Sequence, residues 1–140
     1  MNIEKYNKIL FKLAQKAYNK NEVPVSALIV YKNRIIAKAY NKKNIKNNPL
    51  LHAEIICINM AAKKLKNWNL NGCTLFVTLE PCDMCKMIIS EARIDNVYYL
   101  IEKGSINNKY SKTIYEQMFD DVSASYKELF NNFFNKIRNK

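Results

Sequence analysis

Two short segments of the sequence carry side chains that bind soft divalent metals. His52, the chain's single histidine, stands two residues before Glu54, and Cys82 and Cys85 follow Pro81. Cysteines three apart lie on one face of a helix's first turn, and Pro81 suits the opening position of that helix. A helix N-terminus favours anions, so both thiols should ionise readily. One imidazole and two thiolates make three protein ligands for zinc, which leaves a fourth position for water, as in catalytic zinc sites.

Glu54 is the group that we expect to carry protons at this site. Zinc lowers the pKa of a bound water from about 16 toward about 7, and a nearby carboxylate can take the proton. Residues two apart on an ideal helix point about 200° away from each other, so His52 and Glu54 cannot share a side face. They converge only if the metal lies off the helix's N-terminal end. The alternative is an ordinary acidic residue in a helix's first turn.

A structural zinc site is the alternative reading of the same three ligands, and it requires a fourth protein ligand. Cys57 lies five residues after His52, about 140° around the helix, and should point away from the metal. Cys73 is the other soft candidate, and both cysteines have apolar neighbours that favour a place in the core. A thiol-redox function for the two cysteines of Cys82–Cys85 would leave His52 and Glu54 without a role.

The paired segments His-Ala-Glu and Pro-Cys-x-x-Cys together resemble the zinc-dependent nucleobase deaminases of the cytidine/deoxycytidylate deaminase superfamily. Flanking residues are similar to the bacterial tRNA adenosine deaminase branch of that superfamily, and the similarity runs from about residue 3 to residue 99 and again, more weakly, near the C-terminus. It rests on Glu22-Val23-Pro24-Val25, Ala39-Tyr40-Asn41, Pro49 and the run from Thr74 to Glu80.

This resemblance implies a three-layer α/β/α fold, with a central mixed five-stranded sheet and helices on both faces. It also implies one zinc ion per chain, hydrolytic deamination of adenosine to inosine at the wobble position of tRNA anticodon loops, and a homodimer. Asn41 is similar to the family's substrate-binding asparagine, although a turn asparagine would look the same. By the same resemblance we expect Val23, Ala53 and Phe133 near the substrate; Phe133 and Phe134 could equally be core aromatics.

Length and composition set the remaining expectations. A chain of 140 residues suits a single domain spanning 1–140, and no apolar run approaches the length of a membrane span. Four cysteines, two of them assigned to the metal, indicate a reduced, cytoplasmic protein. Residues 1–70 carry fourteen Lys and Arg against three glutamates, whereas residues 71–140 carry nine basic and nine acidic residues. The basic half favours a polyanionic partner such as tRNA, or reflects a Lys- and Asn-rich composition.

Periodicity predicts helices and strands in an order that suits this fold. Met87, Ile88 and Ile89 should face the core from the second metal-bearing helix. After residue 101 the chain is shorter than in the tRNA deaminases, so we expect a helix of the family to be deleted. The sequence leaves two directions open for a fifth strand: parallel, as in the family, or antiparallel. The predicted helices span 2–20, 52–65, 82–93 and 120–138, and the predicted strands 25–31, 35–40, 73–79, 97–101 and 113–117.

Three functions remain open from the sequence. The first is adenosine deamination in tRNA. The loop before His52 carries Lys42, Lys43 and Lys46, which would contact the phosphates of the tRNA. The second is deamination of a free nucleobase or nucleoside, such as cytosine, cytidine or guanine, which the shortened segment 102–112 favours. The third is an inactive RNA-binding module with structural zinc, which would have no use for Glu54.

Overall fold

A mixed five-stranded sheet forms the centre of the protein, in the order β2-β1-β3-β4-β5. The computed structural model describes residues 1–103 and 111–138. The described helices are α1 (Ile3–Asn19), α2 (Ala53–Leu65), α3 (Asp83–Glu91) and α4 (Val122–Arg138). The described strands are β1 (Ser26–Tyr31), β2 (Arg34–Tyr40), β3 (Cys73–Leu79), β4 (Asn96–Ile101) and β5 (Ile114–Gln117).

The hairpin of β1 and β2 closes through a two-residue turn. Lys32 and Asn33 both have positive φ, 50° and 62°, and Tyr31 pairs with Arg34. Two successive left-handed residues are the signature of the tight turns whose twist matches that of a hairpin. The predicted hairpin is therefore confirmed, although its turn places a lysine as well as an asparagine in the left-handed region.

The other strands extend this hairpin into a mixed sheet. Strand β1 pairs antiparallel with β3, whereas β3, β4 and β5 run parallel to one another. The sequence left open whether β5 runs parallel or antiparallel to β4, and the structure shows that it runs parallel. The connection from β4 to β5 includes residues 104–110, which lie outside the described residues, and the predicted loss of a helix there lies mostly among them.

Two apolar layers separate the sheet from its helices. Alternate residues of β1 and β3, such as Ile29 and Leu75, pack with α2 and α3 on one face. Their neighbours Leu28 and Phe76 pack on the opposite face, with residues of α1 and α4. This alternation follows from the two-residue period of a strand. The expected three-layer α/β/α arrangement is confirmed.

One edge of the sheet gathers the segments that carry the chemistry. Strands β3 and β4 both end there, at Leu79 and Ile101, and the hairpin contributes Val25 and Asn41, whose backbones are hydrogen-bonded at 3.0 Å. Both metal-bearing helices begin at this edge. None of the helices in the described part of the chain is both long and apolar enough to cross a membrane.

Candidate active site

His52, Cys82 and Cys85 come together at the starts of two helices. The Nδ1 atom of His52 lies 3.9 Å from Sγ of Cys82 and 3.6 Å from Sγ of Cys85. Among the described residues these three form a group whose ligand atoms all lie within 4.8 Å of one another. The spacing allows one small cation to contact all three atoms, as the sequence predicts.

The helix starts leave these side chains free to bind a metal. His52 and Cys82 are the N-caps of α2 and α3, and neither side chain makes a capping hydrogen bond. The predicted placement of the metal off the end of α2 agrees with this geometry. The prediction for Pro81 was wrong: Cys82 has extended backbone angles, φ −67° and ψ 170°, so α3 begins after it and Pro81 precedes the cap.

The donor set fits zinc with three protein ligands. Cys57 donates its thiol to the carbonyl of Ala27 at 3.2 Å and lies in the core with Cys73, as predicted. Neither cysteine belongs to the group of described ligand atoms. A structural site with four protein ligands therefore has no support among residues 1–103 and 111–138, and the open position agrees with a catalytic metal.

Glu54 lies beside this group as a buried carboxyl. The residue is only 3% exposed, and its Oε1 has no hydrogen-bond partner among the described residues. Burial raises the pKa of Glu54 above the ordinary value of 4.5, because desolvation disfavours the charged form. Buried polar atoms are normally paired, so an unpaired carboxyl oxygen is consistent with a group that binds a substrate or a proton.

The neighbouring ionisable groups also have shifted pKa values. Burial lowers the pKa of His52, with smaller contributions from the charges of Lys43 and Lys103, and so favours the neutral imidazole that binds metals. Burial raises the pKa of Cys85, and the carboxyl of Glu54 raises it further. A cation between the ligands would reverse this effect, because thiolates bind metals in the ionised form.

A cavity of about 430 Å³ opens onto the candidate metal ligands and Glu54. Such a volume lies within the range of small-molecule sites. Val23, Asn41 and Lys43 lie on one side, and Phe130 and Phe134 of α4 contribute aromatic surface. Further lining residues come from the ends of β3 and β4, namely Leu79, Glu80, Ile101, Glu102 and Lys103.

The residues expected near the substrate have different surroundings. Val23 and Asn41 line the cavity. Asn41 Oδ1 accepts a hydrogen bond of 2.7 Å from the backbone N–H of Ala53, so this oxygen holds the start of α2. Ala53 is fully buried and is not part of the cavity lining, and its N–H already donates to Asn41.

Phe133 does not line the cavity and lies in the core, the alternative that the sequence left open. It is 3% exposed and packs edge-on against Tyr18, with ring centroids 6.2 Å apart. Its neighbours Phe130 and Phe134 lie on the cavity wall instead. Adjacent helical residues point about 100° apart, so the Phe-Phe pair divides between the core and the cavity.

Three charged residues support the site, and sequence reasoning missed two of them, Glu22 and Lys86; Glu80, which follows β3, was expected to brace backbone, as it does at Lys103. Glu22 is 1% exposed and accepts hydrogen bonds from the backbone N–H groups of Asn44, at 2.9 Å, and Ile45, at 2.6 Å. Glu80 and Lys86 form a buried ion pair of 2.8 Å. The lysine within the apolar stretch after Cys85 was the available signal. The expectation that Met87 faces the core was wrong, since it is 68% exposed and Lys86 is buried instead.

Comparisons with known proteins agree with this site. A family model described as the cytidine and deoxycytidylate deaminase zinc-binding region matches residues 1–101. The tRNA-specific adenosine deaminase of Bacillus subtilis (strain 168) is 35% identical over 147 residues, covering 98% of this chain and 91% of the relative. That of Rickettsia bellii (strain RML369-C) is 39% identical over 142 residues, covering 91% of this chain and 96% of the relative.

Solved structures show the same fold. One, from studies of A-to-I editing by tRNA:A34 deaminases at the wobble position of transfer RNA, matches with a TM-score of 0.79 and 30% identity, over 84% of this chain and 100% of the other. A guanine deaminase from Bacillus subtilis matches with a TM-score of 0.68 and 27% identity. The match covers 94% of this chain and 95% of the guanine deaminase chain. The chain belongs to the zinc-dependent cytidine and deoxycytidylate deaminase family and, within it, to the tRNA-specific adenosine deaminase branch.

Proposed function

We propose that the protein is a zinc-dependent hydrolase that converts adenosine to inosine at the wobble position of tRNA anticodon loops. The observation that carries the proposal is the buried Glu54 carboxyl, whose Oε1 has no partner among the described residues, beside the His52, Cys82 and Cys85 group in a cavity. Relatives of similar length are named tRNA-specific adenosine deaminases, which supports the choice of substrate.

The residues of the site have two separate roles, metal binding and proton transfer. His52, Cys82 and Cys85 would hold zinc, which supplies Lewis-acid activation of a water molecule. Glu54 takes a proton from the attacking water as a bond forms to the amino-bearing carbon of the base. It then returns protons to the ring nitrogen and to the leaving ammonia, so water and adenosine become inosine and ammonia. Its raised pKa suits a group that must both accept and donate protons.

Asn41 and the aromatic wall orient the base. The oxygen of Asn41 is used by Ala53, so its amide NH₂ is the part that can donate to an acceptor on the substrate. Phe134 offers a ring on the cavity wall against which a base can stack. Val23 adds apolar surface on the same cavity. We therefore propose Asn41, Val23 and Phe134 as the substrate contacts. Phe133 is no longer among them.

The lysines near the cavity suit an RNA substrate. Lys43 lines the cavity, and the ammonium of Lys42 lies 5.1 Å from the centroid of the Tyr40 ring. Among the described residues, the ion pairs within 4.0 Å join Lys8 to Glu4 and Lys86 to Glu80, so the cavity lysines remain open to phosphates. An anticodon loop presents unstacked bases, which lowers the cost of bringing one base to a buried site.

We also propose that the protein acts in the cytoplasm as a homodimer. Leu50, Met60 and Trp68 line an apolar surface formed with α2 and α3, and they are 54%, 43% and 61% exposed. A contiguous apolar surface of this kind is typical of a protein–protein contact. Light scattering measures the mass in solution, and a monomer at micromolar concentration would contradict the dimer.

Deamination of a free base is the second candidate, and the similarity to a guanine deaminase structure favours keeping it. One experiment separates the two functions. The zinc-loaded protein is incubated in parallel with an anticodon stem-loop that carries adenosine at the wobble position, with adenosine, cytidine, cytosine and guanine. We expect inosine in the stem-loop only. Faster conversion of a free compound than of the stem-loop would replace the proposed substrate.

A further inference from the structure

A buried ion pair connects the metal-bearing helix α3 to the cavity wall. Lys86 follows Cys85 in the sequence and is 2% exposed, and its Nζ lies 2.8 Å from Oε2 of Glu80. The same ammonium lies 5.0 Å from the centroid of the Tyr115 ring on β5. A lysine is almost never fully buried unless it is paired, so this arrangement requires the carboxylate of Glu80.

Glu80 holds the wall segment 101–103 at two points. Its backbone N–H donates to the carbonyl of Ile101 at 2.8 Å, and its Oε1 accepts from the backbone N–H of Lys103 at 3.0 Å. Segment 101–103 lines the cavity. The positive charge of Lys103 acts to lower the pKa values of both Glu54 and His52. One carboxylate thus touches the metal-bearing helix on one side and the cavity wall on the other.

We propose that Glu80, kept buried by Lys86, is a positioning residue that sets the distance between the 101–103 wall and the metal ligands. The inference rests on the proposed deaminase function for its consequence, because the wall bounds the space where the base must lie. Displacing a substrate by about 1 Å can reduce turnover on the order of 100-fold. Losing the bond to Lys103 should therefore reduce activity without removing a group that reacts.

Two double variants test this bond. Both carry Lys86→Met, and Glu80 becomes Gln in one and Leu in the other. Neither leaves a buried charge without its partner, and apolar replacement of a buried ion pair is often tolerated. The Gln side chain keeps an oxygen for the Lys103 N–H, whereas the Leu side chain does not. Ile89→Val, a conservative change at a buried position on α3, is the control for loss of packing alone.

We measure kcat and KM per bound zinc on the anticodon stem-loop, well below the thermal midpoint of each variant. The Gln variant should have at least about tenfold higher kcat/KM than the Leu variant, with equal zinc content, and Ile89→Val should match wild type. Equal kcat/KM in the two double variants, or an equal loss in Ile89→Val, would overturn the positioning role.

Amide hydrogen exchange at Lys103 supplies a readout that needs no turnover. Exchange should be faster in the Leu variant than in the Gln variant, because only the Leu variant lacks the acceptor. Equal exchange would overturn the inference even if the stem-loop is a good substrate. If the wild type fails on the stem-loop, the proposed substrate fails, and the exchange comparison still decides whether Glu80 holds the wall.

Discussion

Replacing Glu54 by Gln should abolish deamination while making the metal-free protein more stable. The side chain keeps its shape, but it can no longer accept and return protons. A general acid–base contributes roughly 10²–10⁴ in rate, and Glu54 acts at more than one step, so we expect a loss at or above the upper end of that range. Zinc should still bind, because Glu54 is not among the three ligands of the group.

The gain in stability follows from the burial of Glu54. It is 3% exposed, and one of its carboxyl oxygens is unpaired among the described residues. The Gln amide is also a buried polar group, so the two side chains differ in the cost of ionisation, which is about 1.4 kcal/mol for each unit by which burial raises the pKa of folded Glu54. We therefore expect the free energy of unfolding of metal-free Glu54→Gln to exceed that of metal-free wild type at pH 7.

The pH dependence has a definite sign. Burial raises the pKa of folded Glu54 above the unfolded value of 4.5, so the folded state keeps its proton to higher pH. The stability contributed by this protonated group is fully present below pH 4.5 and is lost as pH rises through the folded pKa. Metal-free wild type should lose stability over that interval more steeply than Glu54→Gln, in urea titrations followed by circular dichroism.

Glu54→Ala is the second variant, and it removes the carboxyl entirely. It should lack activity as completely as Glu54→Gln while its bound zinc stays near one ion per chain. Turnover above a tenth of the wild-type rate in either variant would remove Glu54 from the mechanism. Loss of zinc in both would mean that Glu54 supports the metal.

Two further predictions concern the metal and the RNA. The purified protein should carry one zinc per chain, and Cys85→Ala should lose it, as measured by elemental analysis. The triple variant Lys42→Ala/Lys43→Ala/Lys46→Ala should bind the stem-loop with a salt slope lower by up to about three units, since each lost phosphate contact removes roughly one.

The controls for these two predictions are matched to the change. Cys57→Ala removes a buried thiol outside the metal group and should keep its zinc. Lys63→Ala/Lys64→Ala removes charge from exposed positions at the end of α2 and should leave the salt slope unchanged. An equal change in slope for both sets of lysines would indicate a general charge effect.

Patterns that depend on neighbouring residues could be predicted from the sequence. The limits of β3 were predicted to the residue, because periodicity is a local property. The group of His52, Cys82 and Cys85 assembled as expected although it spans distant residues, because its side chains are the types that bind zinc. Helix starts were less accurate, since the cap at Cys82 depends on its backbone angles. The parallel direction of β5 depends on pairing with β4, which the sequence around 114–117 does not specify.

The partners of the supporting charges could not be predicted for a related reason. Glu22 reaches across to the backbone of Asn44, and Glu80 reaches the backbone of Lys103, 23 residues away. Backbone N–H groups leave no signal in the sequence, so an acid that binds them looks like any surface acid. Lys86 is buried only because the fold places Glu80 beside it. Backbone partners distant in sequence become visible only in the structure.

Asn41 has two tasks in this structure, and they can be separated. His52 occupies the N-cap of α2 but makes no capping bond, and Asn41 Oδ1 instead accepts from the N–H of Ala53 at 2.7 Å. The strand end therefore supplies the cap that a metal ligand cannot supply. Asn41→Asp keeps this acceptor and loses the NH₂ donor, whereas Asn41→Ala loses both.

Asn41→Ala should lower the free energy of unfolding by about 1 kcal/mol, the usual cost of a lost cap, while Asn41→Asp should stay near wild type, since Asp caps as well as Asn. Both should lose up to about tenfold in kcat/KM, because one neutral hydrogen bond contributes about 0.5–1.5 kcal/mol. Urea titration and stem-loop kinetics measure the two effects independently. If Asn41→Asp keeps full activity, the NH₂ group does not contact the substrate, and Asn41 serves only to hold the start of α2.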